Sequence, residues 1–328
     1  MSKQLINHPT TINRVRIRTG VVIIDRGSDI YVGHLQKHLI FSERGLLPIL
    51  RQLREWSAID LLLATELEQP EKILEVIARL DDVGLIDWSS ESALNRELVI
   101  SQMNEVGALL APILLDYGFE VSTLDLRSAT TSDIRGQYLR ISDIGELMSE
   151  VLLAQRRELI NSGHRLNKKY YESSSNQSEK LSRKLVILTS YPEPELIAAL
   201  MAEGCEYFAA LATPFGALLG PYVKPGITPC FYCVELGRSD LDSQWQKIAA
   251  TLFMERNQPV ARTSALLAVA TLAEQLIPLL ESEISHDRLA YTDSLLFYRE
   301  IKSGHEPSIR SSRQVWSAHP ACSCHWGR

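Results

Sequence analysis

The chain has 328 residues, 45% hydrophobic and 23% charged, enough apolar material to bury a sizeable core and to divide into more than one domain. A formal net charge of -6 argues against a surface built to neutralise phosphates, and the opening MSKQLINHPTTINRVRIR has no apolar run of the kind that begins a secretory signal. The richest apolar stretch, 264–280, is interrupted by Glu274 and Gln275, so the expectation is a cytoplasmic protein with no membrane span.

Residues 15–34, VRIRTGVVIIDRGSDIYVGH, are rich in β-branched side chains and broken at Thr19-Gly20 and Arg26-Gly27-Ser28. That is the pattern of short strands joined by tight turns, and it predicts a small antiparallel sheet with 29–34 at its edge. Helical periodicity follows in 43–56, 59–67 and 70–83, with Pro70 suited to a helix start and Gly84 to a stop. A terminal strand at 85–88 completes residues 1–92 as a winged-helix module.

Residues 93–328 change character. A short apolar strand at 97–101, a helix at 105–117 and a strand at 119–126 form a β-α-β unit. A further helix is expected at 147–160, and the polar stretch 162–184, with Ser173-Ser174-Ser175-Asn176-Gln177-Ser178 at its centre, reads as a surface loop. A strand at 185–189, a helix at 194–203 and a strand at 207–212 then favour a mostly parallel sheet, giving an α/β fold overall. A long apolar helix at 261–280 and a hairpin within 290–316 precede the end of the chain. No nucleophile and base pair stands out, and His164, His286 and His305 lie in polar stretches where solvated imidazoles are expected.

There are five cysteines. Cys205 stands alone in an apolar run and reads as a small buried hydrophobe. Cys230 and Cys233 in GITPCFYCVEL, and Cys322 and Cys324 in HPACSCHWG, form two tight pairs. In a reducing compartment such pairs point to metal rather than to disulfides, and two half-sites of two thiolates complete the closed tetrahedron of structural zinc. Four sulfurs leave no open position for catalysis. His319 and His325 flank the second pair, so either is an alternative fourth ligand.

At GALLGPYVKPGITPCFYC, residues 216–233, with the helix 200–205 ahead of it, the chain resembles the E1-like (ThiF-type) superfamily. Those proteins adenylate a carboxylate on a Rossmann-like sheet and carry a four-cysteine zinc site, and the resemblance covers roughly 97–328. Adenylating members cradle phosphates in a glycine-rich turn after the first strand. Here that turn reads Ser101-Gln102-Met103-Asn104-Glu105-Val106-Gly107, keeping only Gly107, and Glu105 places a negative charge where phosphates would sit. Asp125, at the end of the second strand, could meet a ribose hydroxyl. The acidic metal-binding stretch of the family would fall at 188–192, Leu-Thr-Ser-Tyr-Pro, which holds no aspartate. Both departures predict a degenerate nucleotide site.

A winged-helix module ahead of such a domain, ending in HP-x-C-x-C, resembles the partner proteins of YcaO-type cyclodehydratases in thiazole/oxazole-modified, microcin-like peptide biosynthesis. That resemblance implies a non-catalytic subunit whose N-terminal module takes the leader of a ribosomal precursor peptide as an added strand. Its implied partners are that peptide and a YcaO-type cyclodehydratase. A flavin-dependent azoline oxidase and self-association into a homo-oligomer are left open. Peptide contacts are expected at Ile30 and Val32 on the edge strand and at Leu74, Ala78 and Arg79 on the facing helix, Arg79 meeting an acidic leader residue.

Two rivals are weighed against this reading. A winged helix also reads DNA, but residues 1–90 carry 11 Lys+Arg against 12 Asp+Glu, and the helix at 70–83 carries Glu71, Lys72, Glu75, Arg79, Asp81 and Asp82, a poor phosphate-binding surface. The other rival is an ATP-dependent peptide-adenylating E1-like enzyme with a rearranged nucleotide loop.

Overall fold

The computed structural model describes residues 13–55, 57–65, 70–90, 96–116, 119–135, 139–161, 184–256, 260–281, 295–302 and 308–325. The surface loop expected at 162–184 therefore falls, but for Lys184, outside the described residues, as do His164, His286 and His305. The chain divides into two compact units, residues 1–94 with 278–283, and residues 95–277 with 284–328. No described helix is long and apolar enough to cross a membrane.

The first unit contains strands β1 (Asn13–Ile17), β2 (Val22–Asp25), β3 (Ile30–Gly33) and β4 (His38–Phe41), then helix α1 (Leu47–Gln52). Strand β5 (Ser57–Ala58), helices α2 (Ile59–Thr65) and α3 (Pro70–Val83), and strand β6 (Ile86–Ser90) follow. In α3 the buried residues are Ile73, Val76, Ile77 and Leu80, the i, i+3, i+4, i+7 stripe of a helix laid on a core. Gly84 ends it at a φ of +74°, where the Leu85 amide returns to the Leu80 carbonyl at 2.8 Å. Leu80 is fully buried, so Leu80→Ala should cost about 2–5 kcal/mol.

Three expectations for this unit are corrected. The strands of 15–34 do not share one sheet: β1 pairs with β5 and β6, whereas β2, β3 and β4 form a second antiparallel sheet. More consequentially, β3 is the middle strand of that second sheet and not an edge. Ile30 and Val32 are both 0% exposed and belong to the core. The physical cause is β4, a four-residue strand that covers the side of β3 expected to be open. The 43–56 helix is also shorter than its periodicity suggests: a 3₁₀ turn at Arg44–Leu46 leads into α1, which stops at Gln52.

The second unit is built on one seven-stranded sheet. Strand β7 (Glu97–Ile100), helix α4 (Glu105–Asp116) and strand β8 (Glu120–Thr123) come first, then helix α5 (Met148–Asn161), strand β9 (Lys184–Leu188) and helix α6 (Pro194–Ala202). Strands β10 (Glu206–Thr213) and β11 (Gly216–Val223), helices α7 (Phe231–Leu241), α8 (Trp245–Met254) and α9 (Arg262–Glu281), and strands β12 (Leu295–Lys302) and β13 (Ser308–Val315) complete it. The spatial order is β13-β12-β11-β10-β9-β7-β8. Strands β8, β7, β9 and β10 run parallel, and β11, β12 and β13 are added antiparallel, so the sheet is mixed where a mostly parallel one was expected.

The chain leaves β7 to build β8 on one side and returns to build β9 on the other. The carboxyl ends of β7 and β9 are therefore the place where a sheet of this kind opens a crevice.

Candidate functional site

Cys230 is the residue before α7, in extended conformation, and Cys233 lies in that helix's first turn. The Cys233 amide donates to the Cys230 carbonyl at 3.1 Å, and the Phe231 amide donates at 3.1 Å to the Tyr207 hydroxyl, which is fully buried on β10. At the other end of the chain the Cys322 amide closes a turn on the His319 carbonyl at 2.9 Å. These two turns bring the pairs together: the ligand atoms of Cys230, Cys233, Cys322 and Cys324 all lie within 4.8 Å of one another.

The sulfur separations decide what that cluster can hold. Cys230 to Cys233 is 3.8 Å, Cys230 to Cys322 is 3.6 Å, and Cys233 to Cys324 is 3.4 Å. A tetrahedron with metal–sulfur bonds of about 2.3 Å has edges of about 3.8 Å, so the thiols stand close to the spacing a tetrahedral ion imposes. Cys230, Cys233 and Cys322 are buried, and only Cys324 is partly open. The Cys230 thiol, bonded to Cys233 and buried, is pushed well up, while that same bond draws the Cys233 thiol down. Burial likewise raises Cys324. Burial and mutual contact thus oppose ionisation at Cys230 and Cys324. A bound cation would offset that cost, because metal-ligating cysteines bind as thiolates.

His319 does not replace a sulfur. Its Nε2 lies 2.8 Å from Asp240 Oδ2 on α7, and its Nδ1 accepts the Ala321 amide at 3.1 Å, so the ring braces the tail against the helix that carries the first pair. The side chain of His325 lies outside the described residues. A second brace is Trp316, whose ring covers Gly237 so closely that a Cβ there would stand 2.7 and 2.8 Å from it. Glu235, on the same helix, accepts hydrogen bonds from Tyr191, from Trp245 Nε1 at 2.7 Å and from Arg238 at 3.1 Å. Cys205 is buried in the same apolar cluster as the four converging cysteines, as expected of a small hydrophobe.

At the crevice between β7 and β9 the chain's own groups occupy the donors a phosphate would need. Asn104 precedes α4, and its Oδ1 accepts the amides of Val106 and Gly107, both at 3.1 Å. Its Nδ2 donates to the Thr189 carbonyl at 2.8 Å, while Thr189 Oγ1 donates to the Gln102 carbonyl at 2.7 Å. Gly107 has a steric role, since a Cβ there would lie 2.2 Å from the Gln102 carbonyl oxygen. Asp125 is 5% exposed and accepts the Met103 amide at 2.9 Å, the Arg127 amide at 3.1 Å and the Arg127 guanidinium at 3.0–3.1 Å. Sequence reasoning named Gly107 and Asp125 here but missed Asn104, Thr189 and Arg127. Asn104 was accessible, because an asparagine just before an apolar periodic run is a helix-cap signal.

In the first unit Leu74 and Ala78 are half-buried on α3, and Arg79 is exposed. The Arg79 guanidinium lies 4.6 Å from the Phe41 ring centroid and donates to the Ile40 carbonyl at 3.4 Å, placing it over β4. The helix positions named from sequence thus lie near β4, the end strand of the second sheet, whereas Ile30 and Val32, which pair with Phe41 and Leu39 of β4, are buried in its middle strand.

No protein-family model matches the chain, and no curated protein matches it in sequence. Among solved structures, E. coli MccB with succinimide superposes with a TM-score of 0.52 at 16% identity, covering 96% of this chain and 100% of that one. MccB with AMPCPP and MccA gives 0.52 at 17% identity, covering 95% and 99%. The microcin C7 biosynthetic enzyme MccB in complex with N-formylated MccA gives 0.51 at 16%, again covering 95% and 99%. At such identities the likeness establishes a shared α/β fold over nearly the whole chain.

Proposed function

We propose that this chain is a leader-peptide-binding scaffold subunit of an azole/azoline-forming synthetase. It would hold a structural zinc through Cys230, Cys233, Cys322 and Cys324, and present a ribosomal precursor peptide to an ATP-using YcaO-type cyclodehydratase. The observation that carries the reading is the filled crevice at β7 and β9. With Asn104 on the first amides of α4 and Arg127 on Asp125, a phosphate would have to displace bonds the protein already satisfies internally. The four-sulfur donor set fits zinc and leaves it no open position, which supports a structural role for the metal.

Peptide binding is assigned to the edge of β4 beside α3. An extended segment added there would pair with main-chain groups of 38–41 and set its side chains against Leu74, Ala78 and the exposed Ile40, with Arg79 swinging to an acidic residue. MccB, with which the chain shares its fold, has been solved with the peptide MccA, which agrees with a peptide ligand.

The second reading is a peptide-adenylating enzyme. It is favoured by the same fold likeness, since MccB has also been solved with ATP and with AMPCPP. An ATP–pyrophosphate exchange assay with precursor peptide separates the two: the scaffold reading expects no exchange above a protein-free control, and exchange that requires this chain would select the adenylating enzyme.

A further inference from the structure

We infer, on the zinc reading above, that the four-sulfur cluster is also an oxidation site: peroxide enters at Cys324, Cys233 closes a disulfide with it, and a covalent link replaces the metal that holds the tail. Exposure selects the point of entry. Cys230, Cys233 and Cys322 are 2%, 1% and 5% exposed, whereas Cys324, in the 3₁₀ turn Ser323–His325, is partly open. An oxidant reaches the accessible sulfur first, and a sulfur held as a thiolate offers the electron pair that attacks it.

Distance selects the partner. Cys324 lies 3.4 Å from Cys233, against 3.6 Å for Cys230 to Cys322 and 3.8 Å for Cys230 to Cys233. Disulfide sulfurs stand about 2.05 Å apart, so the Cys233–Cys324 pair has the least to travel of the three. Cys322 is one residue from Cys324, and a bond between them would close a small, strained ring. Both of the shorter separations join α7 to the tail, so oxidation links the two elements instead of closing each cysteine motif on itself. In the first step the Cys324 sulfur attacks a peroxide oxygen, the O–O bond breaks, and hydroxide leaves a sulfenic acid behind. The Cys233 sulfur then attacks that sulfur, the S–O bond breaks and a second hydroxide leaves. Two electrons pass from the sulfur pair to peroxide, and two protons from solvent turn the hydroxides into water. The ion loses two of its four ligands and is released. Cys230 and Cys322 then stand ready for a second equivalent of peroxide.

The test treats the full, zinc-loaded chain with hydrogen peroxide, follows zinc release with a colorimetric chelator and maps disulfides by peptide mass spectrometry. Cys233–Cys324 should be the first bond formed, with about one zinc lost per chain in step with two thiols. Dimedone, which traps sulfenic acids, should label Cys324 alone of the four. Protein stripped of zinc by EDTA under reducing conditions should expose its tail to protease. Peroxide-oxidised protein, equally free of zinc, should lose its tail at least about tenfold more slowly, because the cross-link remains. A first disulfide within either motif or to Cys205, dimedone on a buried cysteine, or a tail freed alike by oxidation and by chelation would overturn the proposal. Protein that carries no zinc as purified would overturn the metal reading and the exchange with it, an outcome distinct from a wrong pairing in zinc-loaded protein.

Discussion

The Asn104 side-chain oxygen accepts the Gly107 amide at 3.1 Å, and Gly107 itself has no room for a Cβ because the Gln102 carbonyl would lie 2.2 Å from it. The turn after β7 is thus closed from two directions, by a side chain that caps the helix and by backbone packed against its first turn. Gly107 thus serves close packing at the start of α4, where a side chain has no room.

Asn104→Ala should lower stability by about 1 kcal/mol, the usual worth of a helix cap, because two α4 amides lose their acceptor. Asn104→Asp should retain most of it. Thermal melts of the three proteins measure this. Isothermal titration with Mg-ATP should show no specific binding to wild type. Nucleotide affinity in the wild type that Asp125→Ala removes would instead favour the adenylating reading.

Elemental analysis of protein purified without added metal should find about one zinc per chain, as four sulfurs and no open position require. Cys230→Ser or Cys324→Ser should release the tail after β13 to protease and lower the melting temperature, since the site joins turns remote in sequence. A metal-free preparation that melts like the zinc-loaded protein would end the structural-zinc assignment.

Gly237→Ala should displace the Trp316 ring, because the new methyl would stand 2.7 Å from it. Overpacking of this kind costs about 1–3 kcal/mol. The expected signature is a red-shifted tryptophan emission together with faster tail proteolysis, in protein that still binds its metal. An unchanged emission spectrum would mean that Trp316 does not seal this face of α7 in solution.

Fluorescence polarisation with a labelled leader peptide should report binding to the full chain. Arg79→Glu should weaken it about tenfold or more if an acidic leader residue is met there, and Ala78→Trp should block docking beside β4. Wild-type affinity in both variants would discard the β4–α3 assignment. Ile30→Pro is expected to unfold the module rather than to report on binding, because Ile30 is fully buried in the central strand.

Features carried by short-range chemistry were legible in the sequence. The 3.6-residue stripe of Ile73, Val76, Ile77 and Leu80, bounded by Pro70 and Gly84, gave α3 its observed limits. The two cysteine pairs announced one cluster because thiols at such spacing have few other uses, and the four ligand atoms do converge. What the sequence could not supply was the order of strands and the destination of donors. Whether β3 is an edge depends on His38–Phe41, four residues with a polar start whose pairing is set by the turn at Gly33–Lys37 and not by their own periodicity. Whether Asp125 faces a ligand or an arginine two residues on depends on the loop after β8 folding back. Hydrogen-bond satisfaction and edge exposure are properties of the assembled sheet, so tertiary structure alone decided them.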